Sequence, residues 1–348
     1  MTIDSMNFLE AVCGLPEQLA AAHETASKIH ADRFPRPDSI ANIVVMGMGG
    51  SGISGDVVAA AFNDEIPVPI TVLKQMRTPA FVASDTLAFA VSYSGDTEET
   101  VSMAKSAVDK GAQLVAISRG GALADLAQEA GALHVPCPDG YLPRAAIGAL
   151  LAPIIVTLYR TEMAMGAHAN LMKAQQQLAR RRDKCRPEVE GAANPARELA
   201  RKIGRTIPLI YGGGALGGVA AYRWKCDVNE NAKAPAFFHQ YPELDHNEIC
   251  AWGQHGDVTR QLITLIELRH GSEHDRLAHR FEMTRAIIDE CLHQVLSVEA
   301  EGEGRLAQLL DLMYMGDWVS SYLALQNDVD PGPIDAIFDL KSRLAKVE

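Results

Sequence analysis

Ser92, Ser94 and Thr97 place three hydroxyls in one tight stretch, SYSGDTEET. It follows the apolar run Leu87–Val91 and opens a helix-like segment, so the hydroxyls sit at a helix N-terminus. Free backbone N–H groups and the positive end of the helix dipole favour a phosphate there. A second loop, GMGGSGISGD, adds Gly49, Gly50 and Ser51. Together these residue types form a phosphate cradle without a lysine. Thr97 also reads as an N-cap, with an acidic first turn behind it, and the two readings are compatible. The same loop matches the dinucleotide fingerprint G-x-G-x-x-G at Gly47, Gly49 and Gly52. A dinucleotide site expects an acidic residue at the end of the next strand, roughly 20 residues on. That strand ends in Lys74-Gln75, and Asp64 and Glu65 precede it. A purely structural role, letting a helix pack closely on a strand, also fits the glycines.

The second half of the chain offers proton-transfer groups in VNENAKAPAFFHQYPELDHNEICAW, where Glu230 ends a helix-like segment and His246 follows in a polar turn. A carboxylate and an imidazole can move protons between carbon and oxygen. The plainer reading makes Glu230 a solvated helix residue paired with Lys233, and His246 a surface turn residue. Asp227 and Glu248 are candidate supports for these groups. His270, His274 and His279 recur at helix-like intervals, but Gly271-Ser272 breaks the helix and charged residues surround them, so a solvated face is expected rather than a metal site. Arg180-Arg181-Arg182 reads as a solvent-facing helix surface.

The elements that must position these groups alternate. Strands are expected at 43–46, 70–73, 87–91 and 114–117, with helices at 52–62 and 98–110. This is the pattern of parallel βαβ units with helices on both faces. From about 150 to 201 long helical segments take over. The apolar run Leu209–Tyr211 then leads again into a glycine-rich loop and an Ala-rich helix, echoing Val44–Ala61. Strands at 262–268 and 295–298, with a helix at 275–290 between them, complete a second α/β unit. Pro331 and Pro333 punctuate the entry to a short amphipathic helix. The chain is therefore an α/β protein with a doubly built plan: a first domain over 1–155, a helical connector over 156–201, a second domain over 202–330 and a helical tail over 331–348.

At 348 residues, 47% hydrophobic and 22% charged, the chain has the composition of an ordinary globular protein with room for two cores. The net charge of -12 argues against nucleic-acid and anionic membrane surfaces. The Met1-Thr2-Ile3-Asp4 start lacks a secretory pattern, and the longest apolar stretch, Ile147–Tyr159, is too short to span a bilayer. A cytoplasmic protein is expected. Six cysteines without C-x-x-C spacing read as reduced thiols.

GMGGSGISGD together with SYSGDTEET resembles the sugar isomerase (SIS) domain, a flavodoxin-like parallel-sheet unit. The resemblance implies that Gly49, Gly50, Ser51, Ser92, Ser94 and Thr97 bind the phosphate of a phosphosugar. Over nearly the whole chain, YLPR, NENAK, PELDHNE and the C-terminal DLK are similar to the bifunctional phosphoglucose/phosphomannose isomerase family. That resemblance implies aldose–ketose isomerisation without a metal or other cofactor. It puts the proton-shuttling base at Glu230, the enediolate-stabilising cation at Arg144, and ring opening at Lys341 and at His246, contributed in trans within a homodimer. Two positions depart from the family pattern. Asp96 stands where S-G-N-T has asparagine, and a carboxylate beside a phosphate repels it unless the side chain points away. Gly332 stands between two prolines in place of the threonine linked to mannose 6-phosphate use, and is expected to leave more space. Another phosphosugar isomerase and a non-catalytic phosphosugar sensor are the alternatives.

Overall fold

The computed structural model describes residues 3–36, 39–344 and 346–347. Met1 and Thr2 of the N-terminal reading, and Ala345 and Glu348 of the tail, lie outside the described residues. Two helices, α1 (Phe8–Cys13) and α2 (Leu15–Ser27), precede a run of alternating elements: β1 (Asn42–Met46), α3 (Gly50–Phe62), β2 (Ile70–Leu73), β3 (Thr86–Val91), α4 (Glu98–Asp109), β4 (Gln113–Ser118), α5 (Gly121–Glu129) and β5 (Leu133–Pro136). The strands form one parallel sheet in the order β2-β1-β3-β4-β5. β3 is buried along its whole length, as a strand covered by helices on both faces must be.

Helices α6 (Ile147–Arg160), α7 (Ala167–Cys185) and α8 (Pro195–Ile203) lead to β6 (Ile207–Gly213), α9 (Gly214–Asn231), β7 (Phe237–Tyr241), α10 (Gly256–Leu262), β8 (Ile263–Arg269), α11 (Asp275–Ile288) and β9 (Gln294–Glu299). A second parallel sheet results, in the order β7-β6-β8-β9. α12 (Arg305–Gln326) follows, and α13 (Asp335–Leu344) ends the chain. α12 is buried on all sides from Leu309 to Ala324 and packs against α7, α8 and α9. Its Asp311 receives Arg181 of α7 through two hydrogen bonds of 2.8 and 2.6 Å. Arg181 is thus buried and paired, which corrects the solvent-facing reading at that position, while Arg180 is exposed as expected.

The α/β class and the repeated parallel-sheet plan are as expected from the sequence. β5 and β7 were not expected. β5 is four residues long and ends in a proline, and β7 is an edge strand carrying His239 and Gln240 with Phe237 and Phe238 exposed, so neither shows a clean apolar run. One hydrophobic core joins the two sheets through α2, α6 and α12, so the second sheet is fixed against the first.

Candidate active site

The glycine loop after β1 and the hydroxyl turn after β3 leave the carboxyl ends of adjacent parallel strands, where open α/β sheets bind ligands. Gly52 is required by packing. A Cβ there would stand 2.6 Å from the Gly47 carbonyl oxygen and 2.9 Å from Cε of Lys74. Lys74, just past β2, occupies the place where a dinucleotide fold needs its acid. Its ammonium is bonded to Asp56 and lies 4.7 Å from the centre of the Tyr222 ring.

In the turn, Ser92 Oγ lies 2.8 Å from Thr97 Oγ1 and 3.4 Å from Ser94 Oγ. The N–H groups of Gly95 and Asp96 donate to Ser92 Oγ and Ser94 Oγ, each at 3.2 Å. Thr97 holds the N-cap position of α4, but its side chain makes no capping bond. Its hydroxyl faces the serines instead, and the helix N-terminus keeps its affinity for an anion. Gly95 has φ +83°, and a Cβ there would meet the Gly120 carbonyl oxygen at 1.8 Å. Asp96 turns away from this cluster. Its carboxylate accepts the N–H of Ala122 at 2.9 Å and so caps α5, which removes the repulsion raised from the sequence.

Glu230 stands in the last turn of α9 and lines a cleft of about 710 Å³ with Asn229, Lys233, Asp330, Pro333 and Ile337. Lys233 donates to the main-chain carbonyl of Glu230 at 2.8 Å, not to its carboxylate, so the expected surface ion pair is replaced by a capping bond. Burial and the neighbouring Arg144 lower the Lys233 ammonium below the usual lysine range.

Arg144 lies in a short 3-10 turn, Pro143–Ala145, and is 8% exposed. Its Nε donates to Asn231 Oδ1 at 3.0 Å, and its Nη2 donates to the carbonyls of Pro331 and Gly332. The Phe8 ring centre lies 4.4 Å from the guanidinium carbon. These acceptors are neutral. Burial pulls the Arg144 pKa down, and the field of Glu230 and Asp227 acts against it. A second arginine, Arg223, is also buried but is neutralised. Its Nη2 meets Asp317 at 2.7 Å, Asp227 at 3.0 Å and the carbonyl of Arg144 at 3.0 Å. Burial opposes the charge on Arg223, yet the two aspartates outweigh it and hold the pKa above the ordinary arginine value. Of the two cations, Arg144 therefore keeps charge to offer an oxyanion. Nη1 of Arg223 would stand 3.8 Å from a Cβ on Gly50, so this network abuts the glycine loop after β1.

Glu230, Arg144 and the glycine and hydroxyl loops are thus linked within one chain through Asn231, Arg223 and the 330–333 turn. His246 and Lys341 do not join them: both are exposed, and no hydrogen bond or ion pair links either to Glu230 or Arg144 among the described residues. Glu248 accepts a hydrogen bond from Tyr211 and belongs to a different cluster from Asp227. His270 is buried, with Nε2 2.8 Å from the Gly213 carbonyl, which corrects its placement on a solvated face. His274 caps α11 through Arg276 N–H at 3.2 Å, and His279 is exposed beside Glu282. At Gly332 the expected extra space is absent, because a Cβ would lie 2.8 Å from both Cβ and Cγ of Met6. Arg223, Asn231, Asp317, Phe8 and Met6 were not singled out from the sequence. Only Asn231, next to Glu230 in NENAK, carried a local signal.

A family model described as the bacterial phospho-glucose isomerase C-terminal SIS domain matches residues 192–344, and the SIS domain model matches residues 39–156. A bifunctional phosphoglucose/phosphomannose isomerase of Caldicellulosiruptor bescii is 34% identical, over 97% of this chain and 99% of the relative. The enzyme of that name from Thermoplasma acidophilum is 35% identical, over 91% of this chain and 94% of its own. Among solved structures, the C-terminal domain of glucosamine-fructose-6-phosphate aminotransferase from Francisella tularensis has the same fold. It has a TM-score of 0.68 at 14% identity and covers 93% of this chain and 97% of that one. With two SIS units and this likeness over its length, the chain belongs to the bifunctional phosphoglucose/phosphomannose isomerase family.

Proposed function

We propose that the protein interconverts glucose 6-phosphate and mannose 6-phosphate with fructose 6-phosphate through a cis-enediol, with Glu230 as the base. The observation that carries this reading is the juxtaposition of a carboxylate lining an open cleft, Glu230, with a buried guanidinium, Arg144, whose hydrogen-bond acceptors among the described residues are neutral. The phosphate rests on Gly49, Gly50, Ser51, Ser92, Ser94 and Thr97. Glu230 takes the C2 proton of the open-chain aldose, the electrons move into the C1–C2 enediolate, and Arg144 stabilises the oxyanion. A proton passes from O2 to O1, return of the carbon-bound proton to C1 gives the ketose with its carbonyl at C2, and mannose 6-phosphate enters as the C2 epimer through the same enediol. Ring opening falls to Lys341, together with His246 of the partner subunit.

A homodimer is part of the proposal. Edge strand β7 exposes Phe237 and Phe238 just before the His246 turn, and α13 exposes Ile337, Phe338, Leu340 and Leu344. Apolar side chains on an unpaired strand edge and an uncovered helix favour a second copy. No helix among the described residues is long and apolar enough to cross a membrane. The test is fructose 6-phosphate formation by EDTA-treated protein from each aldose phosphate separately. Turnover of both supports the reading, turnover of glucose 6-phosphate alone narrows it, and turnover of neither contradicts it.

A further inference from the structure

The N-terminal segment Asp4–Phe8 is folded onto the groups that hold Arg144. The Asp4 carboxylate caps α1 through the N–H groups of Phe8 at 2.7 Å and Leu9 at 2.9 Å, which sets the entry of the segment. The Ser5 N–H donates to Asp330 Oδ2 at 3.3 Å, and Gly332 N–H donates to Oδ1 of the same carboxylate at 2.8 Å. Asp330 therefore ties the N-terminal segment to the 330–333 turn, whose carbonyls at Pro331 and Gly332 accept from Arg144. From the other side, Phe8 presents its ring to the guanidinium. Met6, itself partly exposed, lies over Gly332 of the same turn. Its Cβ and Cγ lie where any side chain at position 332 would begin, 2.8 Å from a Cβ built there, closer than two carbons can approach.

We infer that Met6 is a positioning residue for Arg144: it fills the side-chain space of position 332 and, with Phe8 and Asp330, fixes the carbonyls that orient the guanidinium. This rests on the role given to Arg144 above. Because the near end of Met6 is involved, rotation of its flexible tip cannot relieve a clash, and a side chain at 332 must push the turn or the N-terminal segment aside. The two positions are then energetically coupled, and the coupling reaches turnover through Arg144.

A double-mutant cycle on the full chain tests this, comparing wild type, Met6→Gly, Gly332→Ala and Met6→Gly/Gly332→Ala. Gly332→Ala is expected to lower kcat by about tenfold with KM changed less, and the double variant to recover most of that loss relative to Met6→Gly. Wild-type kcat in Gly332→Ala, or a double variant as poor as the product of the singles, overturns the inference. So does a cycle in which melting temperatures couple while kcat does not, since that is packing alone. If the wild type turns over neither sugar, the proposed function is contradicted, and the melting temperatures still decide the contact: coupling supports it and additivity overturns it.

Discussion

Arg223 of α9 meets Asp317 of α12 at 2.7 Å and the main-chain carbonyl of Arg144 at 3.0 Å with the same nitrogen, Nη2. One buried cation thereby fixes the helix that carries Glu230, the central helix and the turn that carries Arg144. Removing it strands the Asp317 carboxylate without its counter-charge. Arg223→Ala is expected to cost about 3–5 kcal/mol of stability, the range for breaking a buried ion pair. Denaturant unfolding checks this, and a loss below about 1 kcal/mol would contradict the placement of the network.

Arg144 carries a different expectation, because its acceptors are neutral. Arg144→Gln removes the charge proposed to meet an enediolate and is expected to lower kcat by about 10²–10³-fold with a smaller change in KM. Arg144→Lys should not rescue it, since an ammonium cannot reproduce the planar fork shared between Asn231 and the two carbonyls. Steady-state kinetics of the two variants give the answer.

Asp96 caps α5 and does not face the hydroxyl turn. Asp96→Ala is expected to cost about 1 kcal/mol of stability, as loss of a helix cap does, while leaving KM within about twofold. A markedly lower KM in the variant would show that the carboxylate does repel the phosphate.

Asp227 sets a pH dependence. Burial raises its pKa well above the ordinary aspartate value of 3.8, with Arg223 pulling the other way, and its Oδ2 has no hydrogen-bond partner among the described residues. Above pH 3.8 the unfolded chain releases this proton while the native state still holds it, so native stability falls as pH rises through the window up to the native pKa. Asp227→Asn cannot titrate. The stability of the variant relative to wild type should therefore rise with pH across that window, as read from melting temperatures; a constant difference would place Asp227 at an ordinary pKa.

Much of this was legible in the sequence because local chemistry dictated it. Apolar runs such as Ile43–Met46 and Leu87–Val91 are covered on both faces, and the loops that follow them carry their hydroxyls and glycines in order. What could not be read depends on contacts across long separations. Arg223 looks like any helical arginine until Asp317, 94 residues away, meets it. Gly332 looked like an opened space, and only the fold brings Met6 over it. Arg181 and His270 were read as solvated because their sequence neighbours are charged, whereas α12 and the Gly213 carbonyl bury them.

The central claim is that Glu230 moves the proton in a site whose phosphate cradle lies elsewhere, on the first sheet. The most direct measurement is kcat for glucose 6-phosphate, together with its binding, in Glu230→Gln. The account predicts that kcat falls by about 10³-fold or more while fructose 6-phosphate and glucose 6-phosphate still bind within a few-fold of wild type. A variant that keeps more than about a tenth of wild-type turnover would contradict it and place the base elsewhere.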